Sequence, residues 1–186
     1  MSEFPDTEKM TIAELLQTVR DSPTNDVVNV LRGMAMECHT IHLRPEFIDV
    51  CRIALRRKSN RVYWLACTVL GYFCGHSSQE LFDIVAEEAP RAGDDRRTAL
   101  GKCILEHLLE ERFDETISRL ETIPTGPLRN AMLDTLARCW PFGGAATPAN
   151  WRRVEELVRS IPELARRTDL SFLLNPPPSN GDGAPN

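Results

Sequence analysis

Every apolar stretch in this 186-residue chain is short, spaced for a helix, and closed by a capping or breaking signal. Thr11-Ile-Ala-Glu14 is a capping box, in which the hydroxyl accepts from the third amide and the carboxylate reaches back. Ile12, Leu15, Leu16 and Val19 then share one face to about Arg20. Asp21-Ser-Pro-Thr breaks that helix, and Val27, Val30, Leu31 and Met34 carry the next one to about Glu37. Pro45 is placed at a first helical position, where its missing N–H removes no bond, ahead of apolar residues running to Arg57. Asn60 is expected to cap a helix to about Cys74, and Ser77-Ser-Gln-Glu80 reads as a second capping box leading to about Glu88. Asp94 or Asp95 starts a helix to about Glu111, and Asp114 caps one to about Thr122. Pro127 begins one to about Cys139, Thr147-Pro148 one to about Ser160, and Pro162 a short last one to about Leu174. No alternating apolar run of useful length lies between them, so the expected fold class is all-α.

Ten short helices make either a helical solenoid of stacked hairpins or an irregular helical bundle, and an internal repeat separates the two. Three expected second helices place paired residues at +3/+4 and +7/+8 after an arginine: Arg61 with Trp64-Leu65 and Thr68-Val69, Arg97 with Leu100-Gly101 and Ile104-Leu105, and Arg129 with Met132-Leu133 and Leu136-Ala137. The arginines recur at spacings of 36 and 32 residues. Glu46-Phe-Ile-Asp49, Glu80-Leu-Phe-Asp83 and Asp114-Glu-Thr-Ile117 correspond in the first helices. Offsets of three, four, seven and eight make one apolar stripe, which each hairpin must bury on its neighbours.

On these residues the chain resembles the HEAT-like family of α-helical repeats over about residues 45–140. The capped turn and basic start of each second helix carry the resemblance: Asn60-Arg61, Asp94-Asp-Arg-Arg97 and Leu128-Arg129. Leu70-Gly71 and Leu100-Gly101 add small residues of the kind that let neighbouring helices approach. The resemblance implies a short right-handed α-solenoid of about five hairpins, and a curved protein-binding scaffold far more often than an enzyme. A few members of that family are DNA glycosylases acting on alkylated bases. The expected organisation is one helical-repeat domain over residues 1–174 and a disordered Pro/Gly-rich tail over 175–186.

Charge sharpens this. The formal net charge is -5, which argues against a whole-protein nucleic-acid footprint. Between Arg44 and Arg61, however, Arg44, Arg52, Arg56, Arg57, Lys58 and Arg61 face only Glu46 and Asp49. From Glu80 to Glu115 eleven acids face five bases. The basic stripe keeps a nucleic-acid binder or base-excision glycosylase as the alternative function, although the acidic middle would repel a phosphate backbone.

The start, MSEFPDTEKM, has no basic n-region and no apolar h-region, and no apolar run reaches the ~18 residues of a membrane span. The expectation is therefore a cytoplasmic protein whose six cysteines are reduced core residues. Cys38, His39, His42 and Cys74 place sulfur and imidazole close together, but no Cys-x2-Cys or His-x3-His pairing is present and no metal or other cofactor is expected. Glu106-His107 and Asp94-Asp95 are acid–base groups that nothing orders into a catalytic set.

The uncharged run from Val62 to Cys74 reads as a central helix covered on every side, with a pocket lined by Tyr63, Trp64, Tyr72 and Phe73 as the functional alternative. The candidate protein-binding residues are Arg57, Arg61, Arg97 and Arg129, as carboxylate grips, with Trp140, Phe142 and Trp151 as aromatic anchors. Each set has a bland alternative. The arginines can hold a neighbouring turn, and the rings can fold back to close the end repeat. The expected function is a non-catalytic interaction module, an inhibitor, immunity or adaptor protein binding one protein partner.

Overall fold

The computed structural model describes residues 6–40, 43–139, 145 and 147–165. The expected tail over 175–186, and most of the last expected helix, lie outside them. Among the described residues every regular element is helical. A single 3-10 turn, Thr7–Lys9, precedes α1 (Ile12–Asp21) and α2 (Thr24–Thr40). The capping box of α1 forms as read: Glu14 N donates to Thr11 Oγ1 at 3.3 Å, and Thr11 N donates to Glu14 Oε2 at 2.8 Å. The Thr11 amide, and then the Thr11 hydroxyl, which donates to the same carboxylate oxygen at 2.8 Å, hold the Glu14 carboxyl below its ordinary value.

The next helices correct three local expectations. α3 spans Phe47–Leu55, so Pro45 lies in the preceding turn, where its carbonyl accepts from Ile48 N. α4 spans Asn60–Gly71, and its cap is Ser59, whose Oγ accepts from Val62 N. Asn60 is already helical, and its side chain accepts instead from Arg96 Nε at 3.0 Å. α5 spans Ser78–Glu88 without the expected capping box, because Glu80 turns away to pair with Arg52 at 3.3 Å. A charged partner across the helix interface outcompetes a backbone amide for that carboxylate.

α6 (Asp94–Leu100) runs into a π segment, Gly101–Leu105, and on into α7 (Glu106–Thr122). The chain breaks within α7 at Arg112 (φ -143, ψ 51), two residues before the expected cap Asp114. Arg112 Nη2 reaches the Gly75 carbonyl at 3.5 Å, and Thr116 Oγ1 spans the kink to the Leu108 carbonyl at 3.2 Å. The Thr116 hydroxyl thus supplies to the Leu108 carbonyl a donor that the backbone loses there. α8 (Pro127–Leu136) starts on a proline after Gly126, whose φ of 153 favours glycine. α9 (Pro148–Arg159) is capped by Thr147, and α10 spans Pro162–Ala165.

Second helices meet in chain order: α2 packs on α4, α4 on α6 and the π segment, and both of these on α8. First helices meet as α1 with α3 and α5 with α7. Two glycines set the second-helix spacing. A methyl group at Gly71 would overlap the Cys103 carbonyl oxygen, and one at Gly101 would lie 2.9 Å from the Thr135 carbonyl oxygen. The backbone of the next helix fills the place of a side chain at both positions, as the Leu-Gly pairs anticipate. Cys74 Sγ donates to the Ile104 carbonyl and Cys139 Sγ to the Gly101 carbonyl, so buried thiols flank the π segment on two sides. One apolar core runs from Leu15 on α1 to Leu164 on α10. All six cysteines are free.

Candidate functional site

Three of the four arginines expected as protein grips have their own partners inside the fold. Arg57 closes the C-terminus of α1: Nη1 donates to the Arg20 carbonyl and Nη2 to that of Ser22, each at 2.8 Å. Arg97 Nε donates to the Ala89 carbonyl at 3.0 Å, and its Nη1 pairs with Asp134 at 2.9 Å. Arg129 closes α7, with Nη1 donating to Leu120, Glu121 and Ile123 carbonyls at 2.9–3.1 Å. The last carbonyls of a helix lack intrahelical donors and carry partial negative charge, so a guanidinium satisfies both needs at once. Arg61 differs. It is exposed and makes no bond or ion pair among the described residues.

Three further arginines do similar work: Arg96, which lies within Asp94-Asp-Arg-Arg97, and Arg138 and Arg153, which no motif announces. Arg96 holds the turn before α4 through the Arg57 and Lys58 carbonyls and stacks over the Tyr63 ring at 4.7 Å. Arg138 ties α8 back to Asp94 at 2.9 Å and to Asp134 at 3.3 Å. Arg153 forks onto Glu121 at 2.9 Å and meets Asp114 at 3.0 Å. For Arg138 and Arg153 the sequence signal is the heavy preference for arginine over lysine, because planar multi-donor heads suit clustered carbonyls and carboxylates better than an ammonium does.

This network also divides the basic stripe. Arg44 donates to the Thr7 and Met10 carbonyls and sits 3.7 Å from buried Glu37. Arg52 pairs with Glu80 and Glu87. With Arg57 engaged as well, Arg56, Lys58 and Arg61 are the exposed cations of the six.

Other candidates separate by burial. Trp151 is 3% exposed and part of the core, whereas Trp140 and Phe142 lie outside the described residues. Burial raises all six thiols; Cys38 is pushed up to about 12 by burial and then by Glu37, and Cys51, Cys67 and Cys139 rise well above the ordinary range. Such thiols stay protonated and are poor nucleophiles. Among the described residues no group of three His, Cys, Asp or Glu is placed to hold a metal ion, and His42 is not among them. Asp94 is held by Arg138, Asp95 accepts from Trp64 Nε1 at 3.1 Å, and His107 Nδ1 lies 3.3 Å from Glu110 rather than on Glu106.

The Val62–Cys74 run, expected to be covered on every side with a pocket at Tyr63, Trp64, Tyr72 and Phe73 as the alternative, has instead an open side on α4. Tyr63 and Phe73 are fully packed, but Trp64, Leu65 and Thr68 are half-buried and Tyr72 is 38% exposed. With Arg61 they fall at +3, +4, +7 and +11, one stripe of one helix face. α2 adds Met36, 57% exposed, and the His39 ring, 6.2 Å from that of Tyr72. On the other side stand Lys102 and half-buried Cys103, whose sulfur is 3.8 Å from Thr68 Oγ1. An uncharged helix is therefore covered on three sides, not four. An apolar strip with Arg61 at one end, and with Lys102 and Glu106 close to Cys103, can bury area against another surface, and burial raises the Cys103 thiol rather than activating it.

No helix among the described residues is long and apolar enough to cross a membrane. Comparison with family models, with curated proteins and with solved structures finds no match to this chain.

Proposed function

We propose that the chain is a short helical-repeat scaffold that binds one protein partner, without catalysis, through the face made by α2, α4 and α6. The carrying observation is the uncovered stripe of α4, with Trp64, Leu65 and Tyr72 reaching the surface beside exposed Met36. Aromatic and long apolar side chains clustered in this way are the usual anchors of an interface. The stacked-hairpin solenoid is preferred to an irregular bundle because second helices meet in chain order and Gly71 and Gly101 repeat the same close approach. An inhibitor, immunity or adaptor role in the cytoplasm fits this reading, since the binding face offers area and no reactive group.

The nucleic-acid alternative loses ground on the basic stripe, where Arg44, Arg52 and Arg57 already have internal partners. Retention of duplex DNA in a mobility assay, strongly weakened by salt, would restore it.

The direct test is affinity capture from the source extract with the wild type, Leu65→Glu and Tyr72→Glu, each checked for an unchanged unfolding midpoint. The expected result is a partner held by the wild type and weakened by about 2 kcal/mol, roughly thirtyfold, in both variants. Capture of the same proteins by all three chains sinks the reading. Growth protection against a co-expressed neighbouring toxin then tests the immunity role separately.

A further inference from the structure

Two open cavities of about 570 and 400 Å³ flank α8 on its turn edge. Asn130 and Ile161 line both, so the cavities are two halves of one groove between the turns of the last hairpins. Ile123, Pro124 and Pro162 wall one half, and Pro90, Pro127 and Leu164 wall the other. Each half holds one of the recurring arginines: Arg129 in the larger, Arg97 in the smaller.

Their bonding is one-edged. Arg129 makes all three of its carbonyl bonds through Nη1, while Nε and Nη2 make none and are not buried. Arg97 uses Nε and Nη1, and its Nη2 is likewise unbonded and unburied. Each guanidinium is thus fixed from behind with donors to spare, and a ligand would not bear the entropy of ordering it. Tying repeats together and gripping a carboxylate, the two readings of these arginines, are compatible in one side chain.

We propose that this groove binds an acidic peptide segment of a partner protein, with one carboxylate on Arg129 and a second on Arg97. The binding-scaffold reading enters only in taking the partner to be a protein. Charge decides the ligand class. Glu121 and Asp134 line the same groove, the first held by Arg153 and the second by Arg97 and Arg138. Those arginines offset the two acids, but a dianionic phosphate would still share either half with an acid, Glu121 in the larger and Asp134 in the smaller. A singly charged, planar carboxylate matches the Nε–Nη2 edge of Arg129 with two parallel bonds. The proline and isoleucine walls between the arginines suit apolar side chains separating two acids.

Fluorescence anisotropy on the full chain tests this with three probes: a short labelled peptide carrying two glutamates around an apolar pair, its two-glutamine counterpart, and inorganic phosphate as competitor. The glutamate peptide is expected to bind at least about tenfold tighter than the glutamine one, a difference of about 1.4 kcal/mol. Asn130→Trp fills the junction of the two halves from an exposed position, and should lower affinity about tenfold with an unchanged unfolding midpoint. Arg97→Lys, which keeps the charge and loses the fork, should weaken binding as well. Equal binding of both peptides, no effect of Asn130→Trp, or displacement by phosphate as readily as by unlabelled peptide overturns the proposal. Tyr72→Glu should leave peptide affinity unchanged, so failure here and failure of the α4 face are read separately.

Discussion

α4 and α8 both begin near an arginine, and both carry residue pairs at +3/+4 and +7/+8. Their surroundings differ. Residues 131–137 of α8 and its end are all buried, whereas the matching stripe of α4 reaches solvent at Trp64, Leu65, Thr68 and Tyr72. α8 touches α5, α6, the π segment, α7 and α9; α4 touches α2, α3, α6 and the π segment. The same local pattern therefore ends as core in the second half of α8 and as surface on α4, because the neighbouring elements cover different faces of the two helices. Even polar residues follow the rule. Asp134 is buried on α8 and balanced by Arg97 and Arg138, while Arg61 at the start of α4 stands alone.

The sharpest way to break this contrast is Asp134→Ala, which leaves two largely buried arginines facing each other. A loss of about 3–5 kcal/mol is expected in urea unfolding, against less than about 1 kcal/mol for Thr68→Ala on the open side of α4. Equal losses would mean that the two helices are equally covered.

Close approach gives the next largest effect. Gly71→Ala puts a methyl group onto the Cys103 carbonyl, a backbone atom that cannot swing aside, and should cost about 1–3 kcal/mol. Gly101→Ala meets the Thr135 carbonyl at 2.9 Å and should cost less, and Gly93→Ala, with nothing within 4 Å, should change the midpoint little. The reverse order would displace the glycines as spacers of the second helices.

The two helix starts give a smaller difference. Arg129→Ala strips donors from three carbonyls at the end of α7, and a loss of about 1–2 kcal/mol is expected. Arg61→Ala should stay within about 0.5 kcal/mol. Thermal melts of the pair measure it directly.

Least in size is a pH effect at Glu88, on the hairpin after α4. Burial, and then the neighbouring charge of Glu87, raise its carboxyl above the ordinary value. A raised acid is favoured in its neutral form by the folded chain, so its contribution is complete below the unfolded value and lost as pH rises through the folded one. Glu88→Gln should therefore raise the melting midpoint at neutral pH and leave it unchanged in acid. A gain that persists at low pH would point to packing rather than ionisation.

Much of this was legible in the residues. The capping box at Thr11, the proline starts of α8 and α9, and the Leu-Gly pairs each act within a few residues or mark a place where only glycine fits. Errors arose where a distant group competed for a local partner. Glu80 left its capping box for Arg52, and the break expected at Asp114 moved to Arg112, which reaches the Gly75 carbonyl. The arginines were visible as a spacing, but not what they hold.

By itself, then, the sequence determined an all-helical chain, the approximate places where its helices start and stop, and the positions at which neighbouring helices come closest. These follow from hydrogen bonds and sterics acting over three or four residues. Only the tertiary structure decided which carbonyl or carboxylate each guanidinium meets, since those partners lie as far as 44 residues away along the chain. It alone decided, too, that α4 keeps one face open while the second half of α8 is enclosed, because burial depends on where neighbours pack and a helix carries no record of where they will lie.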